Sequence, residues 1–341
     1  MNKQEKIAAF NPSCIGLTNA GIFGFPFTVE EADYVVIHIP WESTASFGNG
    51  TQDAPAIIYE ASNQLDFYFP DFPDVWKKGI AMTDIDKTIK SHSIACRKIV
   101  EEHIALLESG AKSNVELVDK INAFGKACNE YVSSQVERYR SQKKQVILLG
   151  GDHSTSLGNI KSLAKNIAFG ILQIDAHLDL RNAYEDLNYS HASVMYNALQ
   201  EENVTGLVSV GIRDYCQEEV DFIDHQNGRV SLFSDQDNKE AMLKGSTWHS
   251  ICEQIIAALP QQVYLTIDID GLDPSLCPNT GTPVPGGLSY EQLIYLLKQL
   301  ALSDKTIIGM DLVEVGNDAW DANVAARVLY NMIGYWELNL R

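Results

Sequence analysis

The chain has 341 residues, 45% of them hydrophobic, and a formal net charge of −19. That is enough apolar material for one large α/β domain. The acidic balance argues against nucleic-acid and anionic-membrane surfaces, which need basic patches, and agrees with a cationic small-molecule substrate, although an ordinary acidic cytosolic protein explains it equally well. The six cysteines form no C-x-x-C pair and are irregularly spaced, so reduced thiols are expected. No long apolar stretch follows the first lysines, so no leader is expected, and no run approaches the ~20 apolar residues of a membrane span. The expected location is cytoplasmic.

Residues 1–31 mix aromatics with Gly21, Gly24 and Pro26 and read as a packed arm or loop. An arm over 1–32 and a single catalytic domain over 33–341 follow. Residues 33–39 read as the first strand, with Pro40-Trp41-Glu42-Ser43-Thr44 as a loop at its end. Pro55 opens a helix. A short strand is expected near 79–85, then two long helices over 89–108 and 115–140, with apolar residues recurring at three and four. Strand and helix then alternate. Strands are expected over 145–149, 167–174, 207–211, 229–233, 263–267 and 306–315. Helices are expected over 157–164, 192–200, 217–225, 239–259 and 322–338, and one capped by Ser289 with Glu291 close behind. Such alternation predicts a mainly parallel sheet with helices on both faces. Function in such sheets lies outside the carboxyl ends of the strands.

Polar clusters sit at those ends. Asp175-Ala176-His177-Leu178-Asp179 follows an apolar strand run. In an extended segment alternate side chains share a face, so Asp175, His177 and Asp179 can converge as a divalent-metal half-site. A strand end with a helix cap explains that stretch alone about as well. Two more pieces shift the balance: Asp268-Ile269-Asp270 and Gly150-Gly151-Asp152-His153-Ser154. Burying several carboxylates together is prohibitive unless a cation neutralises them. The candidate ligands outnumber what one metal needs, which points to two metals with bridging carboxylates.

These motifs resemble a known family. Gly150 to Ser154, Asp175 to Asp179, Ser190-His191-Ala192-Ser193, Asp268-Ile269-Asp270, the run from Gly281 to Leu288, and Glu314 occur in the order seen in ureohydrolases, the arginase–agmatinase family. Asp175 to Arg181, Gly211-Ile212-Arg213 and Leu265 to Asp268 bring it nearest to agmatinase-like members. The resemblance implies a three-layer α/β/α sandwich with two Mn²⁺ per chain. It assigns His153 and Asp179 to one ion and His177 and Asp270 to the other, with Asp175 and Asp268 bridging. Carboxylates with imidazole suit Mn²⁺ without excluding other first-row metals. It makes His191 the proton shuttle to the leaving amine, since imidazole titrates near neutrality. It makes Glu314 the acceptor of the substrate guanidinium. It also implies a homo-oligomer, a trimer or hexamer.

The chain departs from the family pattern at three places, one being the arm before Glu31 and part of the helical stretch 109–122, which have no clear counterpart. Gly271 follows Asp270, where a bulkier apolar residue is common. Gly316 stands where relatives have Asn-Pro after the glutamate, which predicts a more mobile loop. Asp152 reads either as a helix cap or as a partner orienting the ligands. Arg213 fixes a loop or joins a subunit contact. Residues 181–189 should border the substrate tail. His38, His92, His103, His225 and His249 lie outside the motifs and carry no assigned role. The activity implied is release of urea from a guanidino compound, with agmatine to putrescine first. Arginase, guanidinobutyrase and formimidoylglutamase activities are alternatives. A one-zinc deacetylase and a non-catalytic regulator are more remote ones.

Overall fold

The apolar runs pair into a single eight-stranded sheet, parallel at every junction. The computed structural model describes residues 1–14, 20–45 and 48–341, so residues 15–19 of the expected arm lie outside the described residues. In chain order the strands are β1 (Tyr34–His38), β2 (Ile80–Met82), β3 (Gln145–Leu149), β4 (Phe169–Ile174), β5 (Val204–Val210), β6 (Val230–Phe233), β7 (Gln262–Asp268) and β8 (Thr306–Val313). Across the sheet they run β2-β1-β3-β8-β7-β4-β5-β6.

Alternation within each strand builds the layers. On β3, Ile147 and Leu149 enter one core while Val146 and Leu148 enter another. On β4, Leu172 and Ile174 join the first core while Phe169 and Ile171 face the opposite side. The helices Ala54–Ala61, Trp248–Ala258, Tyr290–Leu302 and Ala319–Asn339 cover the first face. The helices Lys87–Glu108, Val115–Ser141, Ser156–Ala164 and Val194–Ala198 cover the other. The result is the expected three-layer α/β/α sandwich. Burial on both faces is why the strands read as continuous apolar runs. Among the described residues no helix is long and apolar enough to cross a membrane.

Three local expectations are corrected. The segment read as an arm or loop carries a helix, Lys3–Ala9, closed by a capping box between Asn2 and Glu5. Beyond it, Ile22, Phe23 and Phe25 are wholly buried in the first core. The single helix expected over 239–259 is two, Asp235–Leu243 and Trp248–Ala258. Gly245 turns left-handed at φ 103° after the first, and the Thr247 hydroxyl accepts from the Ser250 N–H to start the second. The partner of Ser289 in its capping box is Gln292 rather than Glu291.

The loop after Glu314 is also corrected. β8 stops at Val313, short of the expected 315. Gly316 then runs beneath the turn that holds Asn279. A Cβ placed on it would lie 2.2 Å from both the Asn279 carbonyl oxygen and Asp321 Oδ2. Asp321 Oδ2 in turn accepts from the Asn279 N–H at 3.0 Å. Glycine here permits a close approach that clamps the loop instead of loosening it. Gly316→Ala should therefore lower stability by about 1–3 kcal/mol through forced backbone movement. Urea denaturation reads it as a lower midpoint with an unchanged slope, and an unmoved midpoint would contradict the clamp.

Candidate active site

Strand register brings the polar clusters level. Leu149 pairs with Leu312, Leu312 with Ile267, and Ile267 with Ile174. One row therefore crosses β3, β8, β7 and β4, the four neighbouring strands at the middle of the sheet. The next residues along each chain open the site: the Gly150 loop leading to His153, Glu314, Asp268 to Asp270, and Asp175 to Asp179. Parallel strands all end on the same side, so these groups meet at one carboxyl edge.

There the side chains form two groups that share Asp175. His153, Asp175 and Asp179 offer ligand atoms within 4.8 Å of one another, and so do Asp175, His177 and Asp270. His153 Nδ1 lies 3.1 Å from Asp175 Oδ2, 3.0 Å from Asp179 Oδ2 and 3.4 Å from Asp268 Oδ2. His177 Nδ1 lies 3.1 Å from Asp270 Oδ2 and 3.6 Å from Asp175 Oδ1. Asp175 thus turns one oxygen to each imidazole. Asp268 stands beside the His153 group, with its other oxygen accepting from the Asp270 N–H at 2.9 Å.

The electrostatics of the cluster set how much positive charge it demands. Burial alone would lower His177, yet Asp175 and Asp270 push it up to about 12. His153 is likewise raised well above its usual value, because Asp175, Asp179 and Asp268 outweigh its burial. Burial and then the Asp175 charge raise Asp179 to about 7. Burial, followed by Asp270 and Asp175, raises Asp268 well above the carboxylate range. Asp175 goes the other way: burial opposes it, but the two imidazoles hold it below that range.

The tautomer of His153 tests whether a metal fits. Its Nε2 is 2.9 Å from Thr266 Oγ1, and the Thr266 hydroxyl donates to Asp311 Oδ1 at 2.6 Å. A hydroxyl has one proton, so Thr266 must accept from His153 Nε2–H. The other ring nitrogen, Nδ1, then faces three carboxylates, where a bound cation would replace the proton that their charge otherwise holds there. Carboxylates facing one another in a buried site call for a cation between them. Four carboxylates and two imidazoles, hard oxygen with borderline nitrogen, suit a pair of first-row divalent ions.

A set of groups that carry no motif holds these ligands. Tyr264 takes a hydrogen bond from Asn159 Nδ2 at 2.9 Å and passes its own proton to Asp311. Gln173 Nε2 donates to Asp175 Oδ2 at 2.9 Å, while Ser209 donates to its Oε1 at 2.7 Å. Arg213 donates to the carbonyls of Gly211, Asp270, Leu272 and Val284, so it fixes loops, the backbone of Asp270 included, without touching a ligand side chain. Gly271 explains its departure: a Cβ there would meet the Asp175 amide nitrogen at 2.6 Å. Of the two readings of Asp152, the structure shows the cap, and the second carboxylate oxygen goes to the Ser43–Thr44 loop rather than to a ligand side chain. Oδ1 caps the turn through the Ser154 N–H at 3.1 Å, and Oδ2 accepts from Ser43 and Thr44 at 3.0 and 3.3 Å.

Thr44, marked in the sequence only as part of a loop, reaches His191. The His191 N–H donates to Thr44 Oγ1 at 3.0 Å, and the same hydroxyl lies 3.2 Å from His191 Nδ1. Both contacts hold together when Nδ1 accepts, which leaves the ring proton on Nε2. Burial, then the charges of His177 and His153, push His191 down to about 4, so it is neutral near pH 7. Glu314 is buried, and burial followed by the nearby Asp152 raises its pKa well above the carboxylate range. Its Oε1 accepts from the His153 N–H at 2.8 Å. A cleft of about 170 Å³ opens beside the cluster, lined by His177, Asp179, Arg181, Tyr184, His191, Ala192, Asp214, Glu219 and Thr282.

Comparison with known proteins gives a consistent answer. A family model described as the arginase family matches residues 32–334. An N(1)-aminopropylagmatine ureohydrolase of Synechocystis sp. is 30% identical over 314 residues, 90% of each chain. An agmatinase of Pyrococcus horikoshii is 28% identical over 313 residues, 90% of this chain and 93% of its own. The crystal structure of agmatine ureohydrolase from Thermoplasma volcanium superposes with a TM-score of 0.70 and 26% identity, covering 98% of both chains.

The Thr266 contacts generate a test that needs no ion. Thr266→Val keeps the shape but strands both His153 Nε2–H and Asp311 Oδ1. Stranding buried polar groups costs about 1–3 kcal/mol each. The metal-stripped variant should unfold at lower denaturant than stripped wild type, and equal midpoints would remove Thr266 from the network.

Proposed function

The chain belongs to the arginase family, as a hydrolase of guanidino C–N bonds, and from that premise we propose that it cleaves agmatine to urea and putrescine with two Mn²⁺. The observation that carries the metal reading is the shared Asp175 between two imidazole-carboxylate groups, with His153 Nδ1 turned into one of them. His153 and Asp179 would hold one ion, His177 and Asp270 the other, with Asp175 and Asp268 between. When bound, such ions supply Lewis-acid charge and make water acidic enough to act near neutral pH.

The remaining work falls to the protein. Hydrolysis adds the oxygen of water to the guanidino carbon, breaks the bond to the tail nitrogen, and releases an amine that needs a proton. His191 starts neutral, so it would take up a proton from the attacking water and, as imidazolium, hand one to the leaving amine. The Glu314 carboxylate is suited to orient the planar guanidinium. With Oε1 already shared with the His153 N–H, Oε2 is the freer acceptor. Orientation of this kind removes much of the barrier to a two-body reaction.

The tail reading rests on charge. Asp214 lines the cleft with its side chain 69% exposed. The Arg181 guanidinium on the cleft wall has Glu219 3.9 Å from its Nε. A cationic tail meets the exposed Asp214 carboxylate, which has His177 Nε2 4.0 Å away, while an anionic one meets an arginine with Glu219 buried beside it. That favours agmatine over arginine, 4-guanidinobutyrate or formimidoylglutamate. The same exposed Asp214, with the name of the Synechocystis relative, supports aminopropyl-extended agmatine as a second reading. Residues 33–341 as one catalytic domain, a trimer or hexamer, and a cytoplasmic location belong to the same proposal.

A urea-release screen of Mn²⁺-loaded protein against these guanidino compounds tests the substrate. Urea from agmatine or its aminopropyl derivative is expected, and urea only from a carboxylate-tailed compound would overturn the tail reading. Elemental analysis after gentle dialysis should find two ions per chain, against one tightly held zinc for a deacetylase. Asp268→Ala should lose the second ion and turnover while keeping the fold. His191→Ala should lower kcat by ~10²–10⁴-fold, the usual worth of a general acid–base group, with metal content unchanged. A variant with wild-type kcat would take His191 out of the mechanism.

A further inference from the structure

His103 belongs to no motif, yet it is wholly buried on the helix Lys87–Glu108. Its Nε2 lies 2.8 Å from the carbonyl oxygen of Glu185. A carbonyl only accepts, so Nε2 carries the proton and donates. Nδ1 has no partner among the described residues. An unpartnered buried nitrogen is unfavourable, so the side chain is kept here at some cost for the contact it does make.

That contact lands on strained backbone. Ala183, Glu185 and Asp186 all take left-handed angles, at φ 50°, 56° and 64°. Residues with a Cβ avoid this region, and hold it only where the surroundings over-determine the path. Three restraints act here. The Tyr184 N–H donates to Ser193 Oγ at 3.2 Å. Leu187 is buried in the core beneath the helices Lys87–Glu108 and Val115–Ser141. His103 fixes Glu185 between them. The path turns Tyr184 into the cleft, where the Arg181 guanidinium stacks 4.8 Å from its ring centre.

We propose that His103 is a positioning residue: its hydrogen bond to the Glu185 carbonyl holds the 183–186 turn, left-handed at Ala183, Glu185 and Asp186, and so sets the Tyr184–Arg181 wall that receives the substrate beyond its guanidinium. The inference rests on the ureohydrolase reading for the identity of that substrate. It does not rest on it for the positioning itself. A merely structural histidine would weaken the whole protein when removed. A positioning one would loosen recognition of the tail and spare the head.

The experiment compares wild type, His103→Ala and His103→Gln, each Mn²⁺-loaded. Glutamine reaches the same carbonyl with an amide N–H. His103→Ala should raise KM for agmatine about fivefold to tenfold, the worth of one net hydrogen bond, with kcat little changed. Competitive inhibition by the bare guanidinium ion, which has no tail, should keep its wild-type constant. His103→Gln should restore KM. Hydrogen exchange at the Tyr184 to Leu187 amides, measured without substrate, should quicken in His103→Ala and recover in His103→Gln. Unchanged exchange in the alanine variant, or equal losses for agmatine and guanidinium, would overturn the proposal. If wild type released no urea from agmatine, the substrate reading would fail while the exchange measurement still decided the positioning.

Discussion

Asp175 stands between two imidazoles, one oxygen 3.1 Å from His153 and the other 3.6 Å from His177, and the arrangement of the sheet edge serves that placement. Buried carboxylates repel one another and lose their hydration, so they coexist only around shared positive charge. The sheet meets this demand by register. Level pairing across four parallel strands delivers acids and imidazoles to one row without any long loop to position them. Gly271 then lets the turn after β7 pass within contact of the Asp175 amide, so the two acidic strand ends close on the same space.

Much of this was legible in the sequence. Two kinds of signal overlapped: apolar runs with the length of buried strands, and polar residues immediately after them. Asp175, His177, Asp268, Asp270, His153 and Glu314 were marked by both. The residues that hold them carry neither signal. Thr266 sits inside an apolar strand as an unremarkable β-branched residue, and Asp311 sits inside the next. Only the pairing of β7 with β8, Thr266 opposite Asp311, turns them into a relay to His153. Gln173 and Thr44 were hidden for the same reason. Their meaning comes from neighbours 36 and 147 positions away in the chain.

Glycine misled the reading in two directions. At Gly245 a helix expected to continue was broken, although Gly-Ser-Thr followed by a tryptophan is a stop and a new cap in sequence. At Gly316 glycine suggested freedom. The missing Cβ is instead what lets the turn at Asn279 close over the loop, with Asp321 gripping it from the other side. A proline stiffens a loop through its own ring, whereas this loop is stiffened by what packs on it. Sequence reports the first kind of rigidity and is silent on the second.

Backbone strain separates chemistry from recognition in the same way. Of the eight non-glycine residues with left-handed angles among the described residues, Asp179 and Glu314 belong to the proposed site, and Ala183, Glu185 and Asp186 to one wall of its cleft. Strain persists only where surrounding contacts exceed it. At Glu314 those contacts come from the Gly151 carbonyl and the Thr280 hydroxyl, and at Asp179 from the Met195 and Tyr196 N–H groups, all beside the strand ends that gather the acids. At 183–186 they come from a side chain on a distant helix, a buried leucine and a serine beside His191. Contacts of that second kind can change one residue at a time without disturbing the sheet. A fold that keeps one set of ligands while accepting different tails therefore has a physical place to vary, and it is the wall rather than the strand ends.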